Sequence, residues 1–408
     1  MHTGKSEKLL QKIFRLKCFK WSVLSTSRMS LIVNPTVDGG KIRNISVEVR
    51  YPSEKSNLTF YDGLSDPRPS PDLPSSYRGL FYLVSFKPSR VVMARDVLGA
   101  KPVYYNRNLE ISSFKKFVSK YSELMPGEYV EIGYDGEVLR QEVTDFSDVF
   151  TVTEFDWDEV EERIIRSLER VRVGNACISF SGGVDSSLLA AFYDVPLIAV
   201  TASEEEKRRI EDSAAKIGTE VEILEFDETT IAKEVRNVVD AIETTNPLQV
   251  SIAIPIYLSM KFARNLGFNE VIFGQGADEL FGGYKRYENV IGRNLEKAIV
   301  EDVRNLGRNN LERDTKISYH LQMRIVTPYL DFDIIESALS IPPDLKVRRE
   351  GGRVIRKYFL REVARKYIPA EVAYREKKAI QYSTKTYSIL EKLARKSGKS
   401  IPEFLKGL

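Results

Sequence analysis

Between residues 173 and 273 the chain alternates between two textures. Short apolar stretches, Ala176 to Phe180, Leu197-Ile198-Ala199-Val200, Val221-Glu222-Ile223-Leu224 and Val271-Ile272-Phe273, read as strands. Charged segments with helical spacing separate them over 204–217, 231–242 and 254–266. Strand and helix taken in turn predict a parallel sheet covered on both faces. Ligands in such sheets bind beyond the carboxyl ends of the strands. Three ends should therefore converge: Phe180-Ser181, Val200-Thr201 and Phe273-Gly274.

Upstream the pattern is different. Ile45-Ser46-Val47-Glu48-Val49 and Tyr129-Val130-Glu131-Ile132 alternate, whereas Leu80-Phe81-Tyr82-Leu83-Val84 is apolar throughout. Tyr134-Asp135-Gly136 signals a hairpin, and Asp66 to Ser76 is a Pro- and Ser-rich loop. A β-rich region over 29–150 is expected, joined by an amphipathic helix within 151–172 to an α/β domain over 151–408. Residues 1–28 intersperse Leu9, Leu10, Ile13, Phe14 and Leu16 with basic residues, and Glu7 is their single acid. They read as a basic amphipathic leader or as sequence upstream of a start at Met29, where strand-like sequence begins; the second reading is adopted.

Composition narrows the partners. The 408 residues are 42% hydrophobic and 29% charged, with a net charge of +3. That small imbalance gives no reason to expect nucleic-acid binding. No apolar run approaches bilayer length, so an intracellular, cytoplasmic protein without a membrane partner is expected. Cys18 and Cys177 are too far apart in sequence for a disulfide framework or a zinc cluster.

The chemistry concentrates at Phe180-Ser181-Gly182-Gly183-Val184-Asp185-Ser186-Ser187, a strand end, a glycine turn and a helix start. Backbone amides there form a nest for an anion, and Ser181, Ser186 and Ser187 add hydroxyl donors. A carboxylate at Asp185 repels phosphate unless a divalent cation bridges them, and Mg²⁺ suits an all-oxygen site. The pattern is not the Walker loop. It reads as a pyrophosphate loop of enzymes that split ATP between its α and β phosphates. At the third strand end, Gly274-Gln275-Gly276-Ala277-Asp278-Glu279-Leu280-Phe281-Gly282-Gly283-Tyr284 places Asp278 and Glu279 across from Asp185.

This second stretch resembles the corresponding segment of asparagine synthetases and related ATP-dependent amide-forming ligases. Val326-Thr327-Pro328-Tyr329-Leu330-Asp331, Leu339-Ser340-Ile341-Pro342-Pro343, Lys357-Tyr358-Phe359-Leu360-Arg361-Glu362 and Arg375-Glu376-Lys377-Lys378 follow in family order. In the β-rich region, Ala94-Arg95-Asp96-Val97-Leu98-Gly99-Ala100-Lys101-Pro102-Val103-Tyr104-Tyr105 and Met125-Pro126-Gly127 resemble the family's class II glutamine amidotransferase domain.

The resemblance implies an ATP-pyrophosphatase fold and a ligase that adenylates the side-chain carboxylate of aspartate, then forms asparagine with ammonia. It implies ATP and Mg²⁺, with Asp185 and Asp278 as metal ligands and Lys377, Gln275 and Glu279 as catalytic residues. Phe180, Ser181, Gly182, Gly183, Asp185, Ser186 and Ser187 would hold the pyrophosphate. Val200, Phe273 and Gly274 would line the nucleoside. Two departures qualify it. Family glutaminases use an N-terminal cysteine with its own α-amino group as base. Here position 2 is His2 and Ser30 follows Met29, so a degenerate amidotransferase domain is expected, with ammonia free or supplied by a separate glutaminase. Gln275 stands where asparagine synthetases carry Glu; it can hydrogen-bond a substrate but cannot act as a base. Asn246 to Ala253, expected beside the acceptor, offers no arginine for an α-carboxylate. An amide ligase with another carboxylate or amine, as in β-lactam-forming relatives, stays open, as do a nucleotide-binding or RNA-modifying member of the superfamily and a homodimeric state.

Overall fold

The apolar run at 80–84 leads into a strand buried on both faces. The computed structural model describes residues 31–38, 41–56, 58–63, 78–376 and 384–408; the leader and Lys377 lie outside these residues. The chain divides into two compact units, the first running to Val149 and including Gly307–Gln322, the second holding Phe150–Leu306 and Met323–Leu408.

In the first unit, strands β1 (Leu31–Asp38), β2 (Lys41–Val49), β3 (Glu54–Ser56), β4 (Thr59–Gly63), β5 (Phe81–Phe86), β6 (Arg90–Arg95), β7 (Tyr104–Tyr105), β8 (Ile111–Ser112), β9 (Ser122–Glu123), β10 (Glu128–Gly133) and β11 (Val138–Val143) follow one another. They form two antiparallel sheets ordered β2-β1-β8-β7-β9 and β11-β10-β6-β5-β4-β3. Alternation along β5 sends Tyr82, Val84 and Phe86 into a core shared with Leu31, Val33 and Ile111 of the other sheet. Phe81 and Leu83 point the opposite way, into a second cluster with Tyr61, Val92, Ala94 and Tyr129. Both faces of β5 are thus dry, and no polar position interrupts the run before Ser85. The expected hairpin joins β10 to β11, with Gly136 at φ +84°.

The helix Glu312–Leu321 completes this unit, although it lies far along the chain. Its Tyr319 enters the shared core. Lys316, 2% exposed, donates to the Tyr104 hydroxyl at 2.9 Å and pairs with Glu312 at 2.9 Å. Burial opposes ionisation of Glu312, yet the charges of Lys316 and Arg95 hold its carboxyl down at about 2. A mixed sequence with four charges in its first five residues gave no sign of such burial.

The second unit carries the five parallel strands β12 (Ala176–Ser179), β13 (Leu197–Thr201), β14 (Val221–Glu225), β15 (Glu270–Ile272) and β16 (Arg324–Val326), ordered β14-β13-β12-β15-β16. The α/β class with a parallel sheet is as expected from the alternation. β16 went unrecognised because it opens on Arg324 and runs straight into the Thr327-Pro328 turn, so no apolar triplet marks it. The helices begin with strong caps: Asp156, Ser203, Asp227 and Asn246 each accept first-turn amides through their side chains. The helix Pro247–Asn265 starts seven residues before the expected 254 because Pro247 suits a first turn, while the internal Pro255 obscured the pattern. Asn246, expected beside the acceptor, caps this helix. Among the described residues no helix is long and apolar enough to cross a membrane.

Asp62 tests the closure of the first unit. Its carboxylate meets Lys101 Nζ at 3.1 Å and accepts from the Tyr319 hydroxyl, with all three groups buried. Asp62→Ala strands the Lys101 ammonium and should cost about 3–5 kcal/mol in urea unfolding; a loss below about 1 kcal/mol would contradict this packing.

Candidate functional site

The strand order reverses at β12. The chain steps outward through β13 and β14, then returns to place β15 on the other side of β12. The loops after β12 and β15 therefore lie side by side at the carboxyl edge, the crevice where parallel sheets bind ligands. Their contact is direct: a Cβ on Gly274 would stand 3.1 Å from Asp185 Cβ. Val200, next to last in β13, and Phe273, just past the end of β15, sit at the carboxyl ends of the strands that flank β12, and both are buried.

After β12, the Phe180 amide still bonds to Ile198 O at 2.8 Å, and Ser181-Gly182-Gly183 turns into the helix Val184–Phe192. Gly182 takes φ +66°, and a Cβ there would come within 2.8 Å of Ser213 Oγ, so conformation and space both require glycine. Ser186 Oγ accepts the Ser181 amide at 3.0 Å and ties the loop to its helix. Gly183 begins the helix without a side-chain cap, leaving first-turn amides open to another acceptor. Ser187 is fully buried and its hydroxyl has no partner among the described residues. An unpaired buried hydroxyl is costly, and a phosphate oxygen would satisfy it.

The charges sit beside this nest. Asp185 is 2% exposed, and both its carboxylate oxygens accept from Lys357 Nζ at 2.7 Å. The same ammonium lies 2.6 Å from Asp278 Oδ1. One cation thus bridges the two aspartates. Lys357 itself adopts φ +56° at the entry of the helix Tyr358–Ala364, an unusual conformation for a residue with a side chain. Gly283 makes room: a Cβ there would be 2.0 Å from Asp278 Oδ1 and 2.2 Å from Lys357 Cε. Tyr329 fixes Asp185 from behind, its hydroxyl donating to the backbone carbonyl at 2.9 Å.

Glu279 follows Asp278 but is 3% exposed and accepts from the Tyr284 hydroxyl. Burial, then the charge of Asp278, pushes its carboxyl up to about 7. Gln275 lies half-buried in the turn preceding the helix Ala277–Phe281. The predicted residues from Phe180 to Ser187 and from Phe273 to Glu279 are therefore brought to one edge. Lys377 falls outside the described residues, but Arg375 is described and anchored: its guanidinium donates to Arg209 O at 2.6 Å, to Ser213 Oγ and to Asp212. Sequence reasoning assigned no role to Lys357. The available signal was a lysine at the start of a motif already noted, immediately before a helix.

Asp185 and Asp278 are the side chains suited to a divalent cation. Among the described residues no three His, Cys, Asp or Glu side chains form a ready-made cage. Two carboxylates plus phosphate oxygens are a usual Mg²⁺ arrangement, so the donor set fits that ion when a polyphosphate is present.

Comparison with known proteins bears on the family. The family model described as asparagine synthase matches residues 160–299 and 291–401. A Methanocaldococcus jannaschii protein provisionally named as a glutamine-hydrolysing asparagine synthetase is 30% identical over 77% of this chain and 71% of its own length. A Schizosaccharomyces pombe protein named as a probable glutamine-hydrolysing asparagine synthetase is 25% identical over 73% of this chain and 62% of its own length. Asparagine synthetase B of Escherichia coli, also named as glutamine-hydrolysing, is 24% identical over 75% of this chain. The match covers 61% of that protein, so the chain spans only part of the length of these relatives.

Two outcomes follow from the charges. Lys357→Met leaves Asp185 buried without its cation and should cost about 3–5 kcal/mol in metal-free unfolding, with Asp185→Asn in the same chain restoring most of it. Equal stability of Lys357→Met and parent would contradict the bridge. Glu279 is protonated in the folded state up to about pH 7 but only to about 4.5 when unfolded, so folding takes up a proton between those values. Metal-free stability should therefore fall as pH rises through that window, by up to about 3 kcal/mol, and Glu279→Gln should flatten the profile.

Proposed function

This chain belongs to the asparagine synthase family, and we propose that it is an AMP-forming carbon–nitrogen ligase that converts aspartate to asparagine with ATP and ammonia. The observation that carries the reading is the Lys357 ammonium between Asp185 and Asp278, beside a glycine loop with open helix amides. An ATP-pyrophosphatase fold is part of the proposal, supported by the sheet order and the reversal at β12.

A carboxylate resists amines because its oxygen is a poor leaving group. In the proposed reaction an aspartate side-chain oxygen attacks the α-phosphorus of ATP, and the bond to the β-phosphate oxygen breaks. The departing pyrophosphate is received by the amides of Gly182 and Gly183 and the hydroxyls of Ser181, Ser186 and Ser187. Ammonia then attacks the acyl carbon, AMP leaves, and the surplus proton is released. Bound by Asp185 and Asp278, Mg²⁺ would supply charge neutralisation on the phosphates. Lys357 orients the two carboxylates and balances their charge. Val200, Phe273 and Gly274 would form the nucleoside wall, and Lys377 would add positive charge at the transferring phosphoryl group. Glu279 provides a carboxyl that exchanges its proton near neutrality.

The β-rich unit is proposed to be an amidotransferase-like domain without glutaminase activity, leaving ammonia free or partner-supplied. Cys177 is no substitute nucleophile: it is buried in the central strand, and burial pushes its thiol up to about 12. A cytoplasmic homodimer completes the reading, by family analogy. Gln275 favours one second reading, an amide ligase for a different carboxylate or amine, because it removes the acid at that position.

Sustained pyrophosphate release over many turnovers with Mg-ATP and aspartate should require ammonium, which clears the acyl-adenylate, yield asparagine by mass, and fail with glutamine alone. Asp185→Asn should lower the rate by at least about a hundredfold. Glutamine-supported asparagine would overturn the loss of glutaminase, and pyrophosphate release indifferent to aspartate would turn the reading towards another acceptor.

A further inference from the structure

The pyrophosphate loop is braced from outside the nest. Ser213, on the helix Glu204–Lys216, is fully buried, and its hydroxyl lies 3.0 Å from both Gly182 O and Arg209 O. A hydroxyl has one proton for these two acceptors. Arg375 resolves the choice. Its Nη1 donates to Ser213 Oγ and, at 2.6 Å, to Arg209 O, whose other lone pair is taken by the in-helix amide of Ser213. The Ser213 proton is thereby left to Gly182 O. Arg375 Nη2 holds Asp212 on the same helix, and the Arg209 guanidinium returns a bond to Glu376 O at 2.5 Å. Arg361 Nη1 grips the Ala373 and Arg375 carbonyls at 2.6 and 3.1 Å. Guanidinium groups thus fix both sides of the contact.

A trans peptide points its C=O and N–H in opposite directions. Holding Gly182 O against Ser213 therefore turns the Gly183 N–H away from that helix. A flipped Gly182–Gly183 peptide, accessible to glycine at φ +66°, would present a carbonyl oxygen to a phosphate instead of a donor.

We propose that Arg375, acting through Ser213, is a positioning residue that locks the Gly182–Gly183 peptide in its anion-donating orientation. The inference rests on the reading of the Ser181–Ser187 loop as a pyrophosphate site. It predicts a loss confined to ligands that carry the β- and γ-phosphates.

The test is calorimetric titration of the full chain with Mg-ATP, Mg-pyrophosphate and AMP, for the parent, Ser213→Ala, Arg375→Gln and the double variant. Each single variant should weaken ATP and pyrophosphate by about tenfold and leave AMP unchanged. The double variant should be little worse than either single one, because both remove the same bond. Arg375→Lys, which keeps the positive charge along with donors, should fall between parent and Arg375→Gln. Unchanged ATP and pyrophosphate affinity in both single variants would overturn the proposal. So would a parallel loss of AMP, which would mark general damage, or fully additive losses, which would mark separate roles. If the parent binds neither ATP nor pyrophosphate, the loop reading itself fails, which is a different result from parent-like variants.

Discussion

One buried ammonium organises the candidate site. Lys357 reaches both oxygens of Asp185 and one of Asp278, and without it two carboxylates would face each other in a partly dry crevice. Like charges in such a place repel strongly and would draw protons from solvent. The surrounding geometry serves this contact. Gly283 clears space for the lysine stem, and Tyr329 holds the Asp185 backbone. The left-handed backbone at Lys357 is a strained conformation of the kind that persists at functional positions. A triphosphate with Mg²⁺ changes this balance by bringing both signs of charge to the same spot.

The parallel sheet explains why these groups meet. Asp185, Asp278 and Lys357 come from widely separated parts of the chain, and only the β12–β15 adjacency and the return through β16 gather them. The glycine loop contributes backbone rather than side chains, so its chemistry depends on peptide orientation. Ser213 and Arg375 bear on that orientation from behind the loop. Electrostatics in front and hydrogen bonds behind are separable demands on the same seven residues.

Much of this was legible in sequence where local physics sufficed. The alternation from Ala176 to Phe273 reports a parallel sheet covered on both faces, and Gly182-Gly183 at a helix start reports an anion nest. Long-range pairing was not legible. Lys357 opens a recognised motif just before a helix, but nothing local pairs it with Asp185 and Asp278, and Ser213 looks like any small residue in a charged helix. The helix Glu312–Leu321 escaped notice for the same reason: Lys316 and Glu312 have the look of a solvated face, yet they pair with each other and Tyr104 inside the β-rich unit. Burial of charge is set by partners, and partners distant in sequence leave no periodic trace.

The central claim is that Asp185 and Asp278 share a cation with a polyphosphate seated on the Gly182–Ser187 loop. Its most direct test is a crystal structure with Mg²⁺ and a non-hydrolysable ATP analogue. The account predicts the β- and γ-phosphates on the amides of that loop, Ser187 Oγ bonded to a phosphate oxygen, and Mg²⁺ contacted by both aspartates. A nucleotide bound elsewhere, or Lys357 still closing the gap with no metal between the carboxylates, would contradict it.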